Sequence, residues 1–510
     1  MRNEAYVSFA DFTLASVVRE NGRSRAQRVA IVDGDRRLTY KDLARRMEYL
    51  ATGLANLGLA RGERVLWIGQ NSGAVIELLA ACSRNGAVMC AANWRQSSEE
   101  LAWTIADFDP RLVISDATVR GSVAAARSAL GAAAERIWVE FDAATGLDGI
   151  MGQTPYAAEG ADASAPFYAL YTAAFDGRPQ AAMLSNSAVL FQNLILGRDQ
   201  SIDEDSIFLN SGPMYHLGTM MTTFAVLHHG GTNVVVQRAD PERLLDLIEQ
   251  ERCTHAFLMG PTLAEMERSM EATGRDVSSL WRSGQVERPK SILSMPPDAP
   301  MAQRGGGVYG QSEVCGIICH AGRGGGAAGK AALAEIVLVD DADQEVSDGV
   351  VGEIVIRSPL VMEGYFRRDA ENARRRRSGW HHTNDLGRRR PDGSIEFIGP
   401  KGVLIKSAQE NIYPAEVEAC LRQHAAVAAA CVIGLPDADW GQRVCAVVEL
   451  KAGSEVSEDD LILHCKQLIA SYKKPRSILF VEKLPRTAAG FVDRGAVDAN
   501  HGGGGYPSTQ

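Results

Sequence analysis

Residues 72–116, SGAVIELLAACSRNGAVMCAANWRQSSEELAWTIADFDPRLVISD, change their hydrophobic period from one segment to the next. The part up to Asn85 carries apolar residues at helical spacing, and residues 86–92 form the short continuous apolar run of a buried strand. A second helical pattern covers SEELAWTIADF, and RLVISD returns to a strand. Helix and strand alternating at this spacing predict parallel sheets covered by helices on both faces.

Working outward, RVAIVDGDRRLTY (28–40) reads as two short strands around an Asp-Gly turn, and Thr39 with Asp42 reads as a helix-capping box. Leu43, Met47, Leu50, Leu54 and Leu57 then mark one apolar helix face, followed by the strand-like ERVLWIG. Between about Gly349 and Ile398 the pattern turns to short alternating strands with turn signals, which suits a small β-barrel or antiparallel sheet. After GPKGVLIKS comes a helix, strand, strand, helix, strand series: PAEVEACLRQH, AACVIGL, RVCAVVEL, EDDLILHCKQLIASY and SILFVEKL. The predicted fold class is therefore α/β, with a large N-terminal domain (1–401) of two helix-covered sheets plus the small barrel. A small α+β domain (402–510) follows. The glycine clusters at 305–307 and 324–326 read as flexible connections, and residues 500–510, with their HGGGG run, as a disordered tail.

With 510 residues the chain exceeds one ordinary core, and 45% hydrophobic with 23% charged residues is a globular balance. A net charge of -10 argues against nucleic acid or anionic membrane as a partner. The basic runs ARRRRSGW and GRRRP read as solvated surface. Nine cysteines without CxxC spacing read as free thiols in a reducing cytoplasm; CGIICH (315–320) reads as buried strand or loop, so no metal site is assigned.

Seven segments, taken in order, carry a resemblance. They are GAVMCAANWR (86–95), PMYHLG (213–218), YGQSE (309–313), GEIVIRSPLVMEGYFR (352–367), HTNDLG (382–387), KSAQENIYPAEVE (406–418) and PRTAAGFVDR (485–494). Together they resemble the adenylate-forming superfamily, in its acyl-CoA synthetase branch. The resemblance implies a C-terminal domain that acts as a mobile lid, with Gly402 at the hinge, where glycine absorbs a large dihedral change. It implies an acyl-adenylate site of His216, Tyr309, Gly310, Gln311, Ser312, Glu313 and Asp385, in which Asp385 holds the ribose, Tyr309 lies beside adenine, and His216 stands between acyl pocket and CoA tunnel as the catalytic residue. It implies CoA contacts from Ala408, Gln409, Trp440, Tyr472, Lys473 and Lys474.

The departures from the family pattern concentrate on the adenylation step. The family's phosphate loop, approximately YTSGTTGxPKG, reads YTAAFDGRPQA here. Ala173, Ala174, Phe175 and Asp176 replace hydroxyls and glycines, and Gln180 replaces lysine. Pro400 stands where the family has arginine and Phe491 where it has the lysine that bridges carboxylate and α-phosphate. Phenylalanine neither donates a hydrogen bond nor neutralises charge. The lid-loop glycines that line the pantetheine tunnel are Ala408 and Gln409.

The expectation is thus a degenerate acyl-CoA synthetase that transfers the acyl group of a preformed acyl-adenylate to CoA and releases AMP, without using ATP or magnesium. A separate adenylating enzyme would supply the adenylate. This division of labour resembles the non-adenylating ligases of platensimycin-type diterpenoid biosynthesis, which implies a bulky terpenoid acid. The alternatives are a complete ATP-dependent acyl-CoA ligase and a non-catalytic acyl-adenylate-binding scaffold.

Overall fold

The computed structural model describes residues 11–131, 136–158, 162–172, 179–280, 291–294, 308–321, 329–331, 333–408, 410–486 and 492–504. Thr39 caps the helix Tyr40–Asn56 as the sequence predicts: the Asp42 N–H donates to Thr39 Oγ1 (3.1 Å), and the Thr39 N–H to Asp42 Oδ2 (3.3 Å). Its apolar face, Leu43, Met47, Leu50 and Leu54, is fully buried. The helix Gly73–Asn85 is buried almost all round, which explains its weak polar face. It stops at Gly86, whose φ of +83° is costly for any residue with a Cβ.

Two sheets organise the N-terminal part. The seven-stranded sheet runs Gly364–Tyr365, Gln180–Ser185, Pro166–Thr172, Val88–Ala92, Arg64–Ile68, Leu112–Asp116, Ile137–Phe141. The six-stranded sheet runs Ser291–Ser294, His255–Met259, Ile207–Asn210, Thr232–Val235, Val29–Asp33, Arg36–Thr39. Both are parallel in the middle, as predicted; the six-stranded sheet ends in antiparallel strands on both sides and the seven-stranded one on the Gly364–Tyr365 side alone, and the Asp-Gly hairpin forms one such edge, with Gly34 at φ +61°. Further along, Glu335–Val339, Val351–Arg357, His381–Arg389 and Ile395–Pro400 make a four-stranded antiparallel sheet. Val308–Gln311, Gly316–Ala321 and Gly329–Ala331 make a three-stranded one. Of the two readings given for 349–398, a small barrel or an antiparallel sheet, the strands there other than Gly364–Tyr365 form the antiparallel sheet, and among the described residues no strand pairing joins it to the three-stranded one.

The smaller C-terminal domain has the predicted element order around one five-stranded sheet, with its own core of Ile405, Ile412, Val417, Leu421, Val432 and Val448. Gly402 lies in the bend between Pro400, which ends the four-stranded sheet, and Ile405, which begins this one. Its helix Glu458–Leu468 is shorter than the pattern implied, so the segment through Tyr472 turns away as a loop. The chain past Asn500 is not loose as far as Gly504, whose N–H donates to Gly434 O at 2.9 Å. The glycine clusters at 305–307 and 324–326 lie outside the described residues.

The basic runs also differ from expectation, because charges that look solvated in the sequence find partners. Arg375 is buried, with Nε donating to Glu371 at 2.9 Å and a guanidinium nitrogen to His382 O at 2.8 Å. Arg377 pairs with Asp343 and Glu353, and Arg388 and Arg390 with Glu396. All nine cysteines are free and buried, those of CGIICH included.

Candidate active site

The YGQSE segment turns from Val308–Gln311 through the short 3-10 turn Ser312–Val314 into Gly316–Ala321. Gly310 is required there: a Cβ on it would lie 1.9 Å from Gly316 O. The turn aims two side chains of one strand at Asp385. The Tyr309 hydroxyl donates to Asp385 Oδ2 at 2.8 Å, and Gln311 Nε2 to the same oxygen at 3.1 Å. The Tyr309 ring stacks on Phe397 with centroids 5.5 Å apart. Asp385 Oδ2 thus accepts from two neutral donors, in a position walled by aromatic rings. Glu313, on the same turn, accepts from the Tyr365 hydroxyl at 2.8 Å, and its backbone carbonyl accepts from the Met362 N–H.

Burial pushes the Asp385 carboxyl up to about 6, helped by the nearby Glu313 charge and opposed by the Tyr309 and Gln311 hydrogen bonds. The resemblance implies that Asp385 holds a ribose diol, and a carboxylate accepts from hydroxyls more strongly than its protonated form does. Affinity for AMP is therefore expected to fall as pH drops through about 6, as read by calorimetry, while Asp385→Asn flattens the profile. The stability effect runs the other way. A raised acid pKa gives stability that is full below the ordinary value near 3.8 and lost as pH rises through about 6. Asp385→Asn is thus expected to stabilise the protein at pH 8, by an amount of order 3 kcal/mol, and an unchanged melting temperature would contradict this.

His216 stands at the N-cap position of the helix Leu217–His229, which begins within the PMYHLG segment. Its Nε2 lies 3.3 Å from Glu410 Oε1, and its ring rests against Tyr215. Arg95 closes the group: it pairs with Glu410 and lies over the rings of Tyr215 (5.6 Å) and Tyr472 (5.0 Å). Burial raises the Glu410 pKa, but His216 and Arg95 outweigh it and hold the carboxyl below its usual range. Sequence reasoning quoted the segments containing Arg95 and Glu410 without assigning either a role. Two charged residues inside resembling motifs were the available signal.

The proposed CoA contacts fare unequally. Ala408 occupies a left-handed conformation (φ +53°), the kind a glycine takes without cost, and its N–H donates to Trp440 O at 2.7 Å. Trp440 is covered by the Arg476 guanidinium, 4.6 Å from the ring. Tyr472 is held by Arg95 and, at 3.5 Å, by Asn93. The reading of Lys473 as a CoA contact needs correction. Its ammonium is buried and donates to Glu100 and Glu416, each at 2.7 Å, so its charge is already matched by two carboxylates. Burial alone would lower its pKa, but Tyr472, Glu416 and Glu100 together push it up. Lys474 is half-buried and makes no ion pair among the described residues.

Of the positions altered from the family pattern, Gln180 begins a strand with its amide oxygen buried and unpartnered, and Pro400 sits opposite Asp385 across the sheet. Ala173, Ala174, Phe175, Asp176, Gln409 and Phe491 lie outside the described residues. Next to Gly402, Lys401 is anchored to Glu353 (3.1 Å) and Asp341 (2.8 Å).

A model of the AMP-binding enzyme family matches residues 18–366, and one of the AMP-binding enzyme C-terminal domain matches residues 416–490. The chain belongs to the AMP-binding enzyme family. It is 32% identical over 491 residues to a feruloyl-CoA synthase of Amycolatopsis sp, covering 93% of this chain and 96% of that protein. It is 30% identical to the indoleacetate–CoA ligase of Aromatoleum aromaticum, covering 91% and 93%. Among solved structures, o-succinylbenzoate CoA synthetase from Bacillus subtilis, bound with its product analogue, superposes with a TM-score of 0.79 at 24% identity, covering 96% of this chain and 98% of that one. Amide bond synthetase McbA from Marinactinospora thermotolerans gives 0.80 at 24%, covering 96% and 100%. This AMP-binding enzyme is thus of the acyl-CoA ligase kind, in which CoA and AMP take part. Among the described residues no helix is long and apolar enough to cross a membrane.

Proposed function

We propose that this AMP-binding enzyme performs only the thioester-forming half of the ligase reaction, in the cytoplasm, on an acyl-adenylate made by a separate adenylating enzyme. The CoA sulfur attacks the acyl carbonyl, the carbon–sulfur bond forms, the bond from that carbon to the phosphate oxygen breaks, AMP leaves with the electron pair, and the thiol proton goes to solvent. Asp385 holds the ribose, Tyr309 lies beside the adenine, and His216, tethered by Glu410, borders the acyl group. A bulky terpenoid acid is the acyl class that the resemblance implies.

The observation that supports this reading is an asymmetry. The Tyr309–Gln311–Asp385 cradle is assembled, whereas positions that carry cations in the family pattern hold Gln180, Pro400 and Phe491. A mixed anhydride is already activated, so its transfer needs positioning more than charge at phosphorus. A second reading, a complete ATP-dependent ligase, is favoured by kinship with ligases that use ATP and by Lys406, whose charge reaches Asp385. The assay that separates them supplies synthetic acyl-AMP plus CoA in one arm, and acid, MgATP and CoA in the other. Thioester in the first arm alone is expected; none there sinks the proposal, and brisk turnover in the second supports the rival.

A further inference from the structure

The helix Asn186–Gln200 lies against the helix whose N-cap position His216 holds. In its middle, Gln192 is 1% exposed, and neither its amide oxygen nor its amide nitrogen has a hydrogen-bond partner. Buried amides in folded proteins are nearly always paired; this helix has two with both ends unpaired, Gln192 and Gln200. The surroundings of Gln192 set it apart. A Cβ on Gly316 would lie 3.5 Å from Gln192 Cδ, 3.6 Å from Nε2 and 3.0 Å from Met221 Sδ, so the amide, the methionine and this glycine lie side by side. Gly316 is in turn the cross-strand partner of Gln311, whose own amide holds Asp385. Gln192 therefore lies one strand away from the nucleotide cradle, on the side of the His216 helix, beside an adaptable methionine. Its neighbour Asn193, by contrast, already reaches His228 at 3.3 Å.

We propose that Gln192 is a specificity-determining residue of the acyl site, and that it selects carboxylic acids whose hydrocarbon body carries a hydroxyl or carbonyl group. The inference rests on the reading that an acyl-adenylate occupies the Asp385 cradle. A hydroxyl suits the amide best, because it donates to the oxygen and accepts from the nitrogen at one point. A site with unpaired polar groups rejects an analogue that leaves them unpaired far more strongly than an apolar pocket rejects a missing methylene.

The test uses non-hydrolysable acyl-sulfamoyl adenosines of cinnamic acid and of its 2-, 3- and 4-hydroxy derivatives, with binding to the full chain and to Gln192→Leu read by calorimetry. At least one hydroxylated analogue is expected to bind the native protein about tenfold or more tighter than the parent. Gln192→Leu is expected to level or reverse that preference while melting no lower than the native protein. Equal preference in both proteins, or no hydroxylated analogue preferred, overturns the inference. Because binding is read without turnover, a preference that depends on Gln192 in a protein that makes no thioester rejects the proposed function and keeps this inference; thioester formation with an unmoved preference does the reverse. Binding of no analogue overturns both.

Discussion

Lys473→Met is expected to lower thioester formation from acyl-AMP and CoA by about a hundred- to a thousand-fold while leaving acyl-adenylate binding nearly intact. The native ammonium is buried between Glu100 of the N-terminal domain and Glu416 of the C-terminal domain. Removing it leaves two like charges close together with little water, and an orphaned buried charge costs about 3–5 kcal/mol. That cost falls only on the state in which the two domains touch here, because on separation both carboxylates regain solvent. The nucleotide cradle, built from Tyr309, Gln311 and Asp385, has no member beyond residue 402, so it should keep its ligand. Adding Glu100→Gln to Lys473→Met should recover part of the loss, since glutamine at that position still serves a capping box. Limited proteolysis around Gly402 should accelerate in the single variant. Unchanged thioester rates and cleavage would show that the triad does not hold the productive arrangement.

Phe491→Lys together with Gln180→Lys is expected to raise the ATP-dependent rate by at least about a hundred-fold and leave the acyl-AMP-dependent rate within a few-fold of native. A unit charge at about 4 Å contributes on the order of 4 kcal/mol at an effective dielectric near 20, and each 1.4 kcal/mol is worth about tenfold in rate. Only part of that is recoverable, because Asp176 still places a negative charge in the phosphate loop and the loop's hydroxyls are missing. Pyrophosphate exchange with a panel of acids measures the gain. No gain would mean that charge at these two positions is not what limits adenylation.

Elements governed by local periodicity were legible in the sequence. The capping box at Thr39, the buried face from Leu43 to Leu54 and the alternation over residues 72–116 need only neighbours within a few turns, and they fold as read. Tyr309, Gln311 and Asp385 were singled out through resemblance to intact motifs, and the fold brings the three together. What escaped depends on partners remote in the chain. Lys473 was read as a CoA contact because its partner Glu100 lies 373 residues away. Arg375 looked solvated within a run of four arginines, although Glu371, four residues before it, was a visible helical partner. Glu410 and Arg95 take their significance only from the fold that brings Glu410 to both His216 and Arg95. Residues 349–398 suited a barrel or an antiparallel sheet equally, because short alternating strands specify pairing with some neighbour without saying which edge must close, and they form the sheet.

The start of the helix Ser98–Phe108 holds both domains at once. Glu100 uses Oε2 to cap its own helix through the Ser97 N–H at 2.9 Å and Oε1 to bind Lys473, while the Ser97 hydroxyl donates to Leu468 O at 2.9 Å. Were the second domain to swing off, as the resemblance implies for a lid, the intrahelical half of this arrangement would survive untouched, and the freed oxygen and hydroxyl would simply meet water. Such undocking would leave no frayed turn to rebuild, so repeated cycles of product escape and recharging would need no refolding of the larger body.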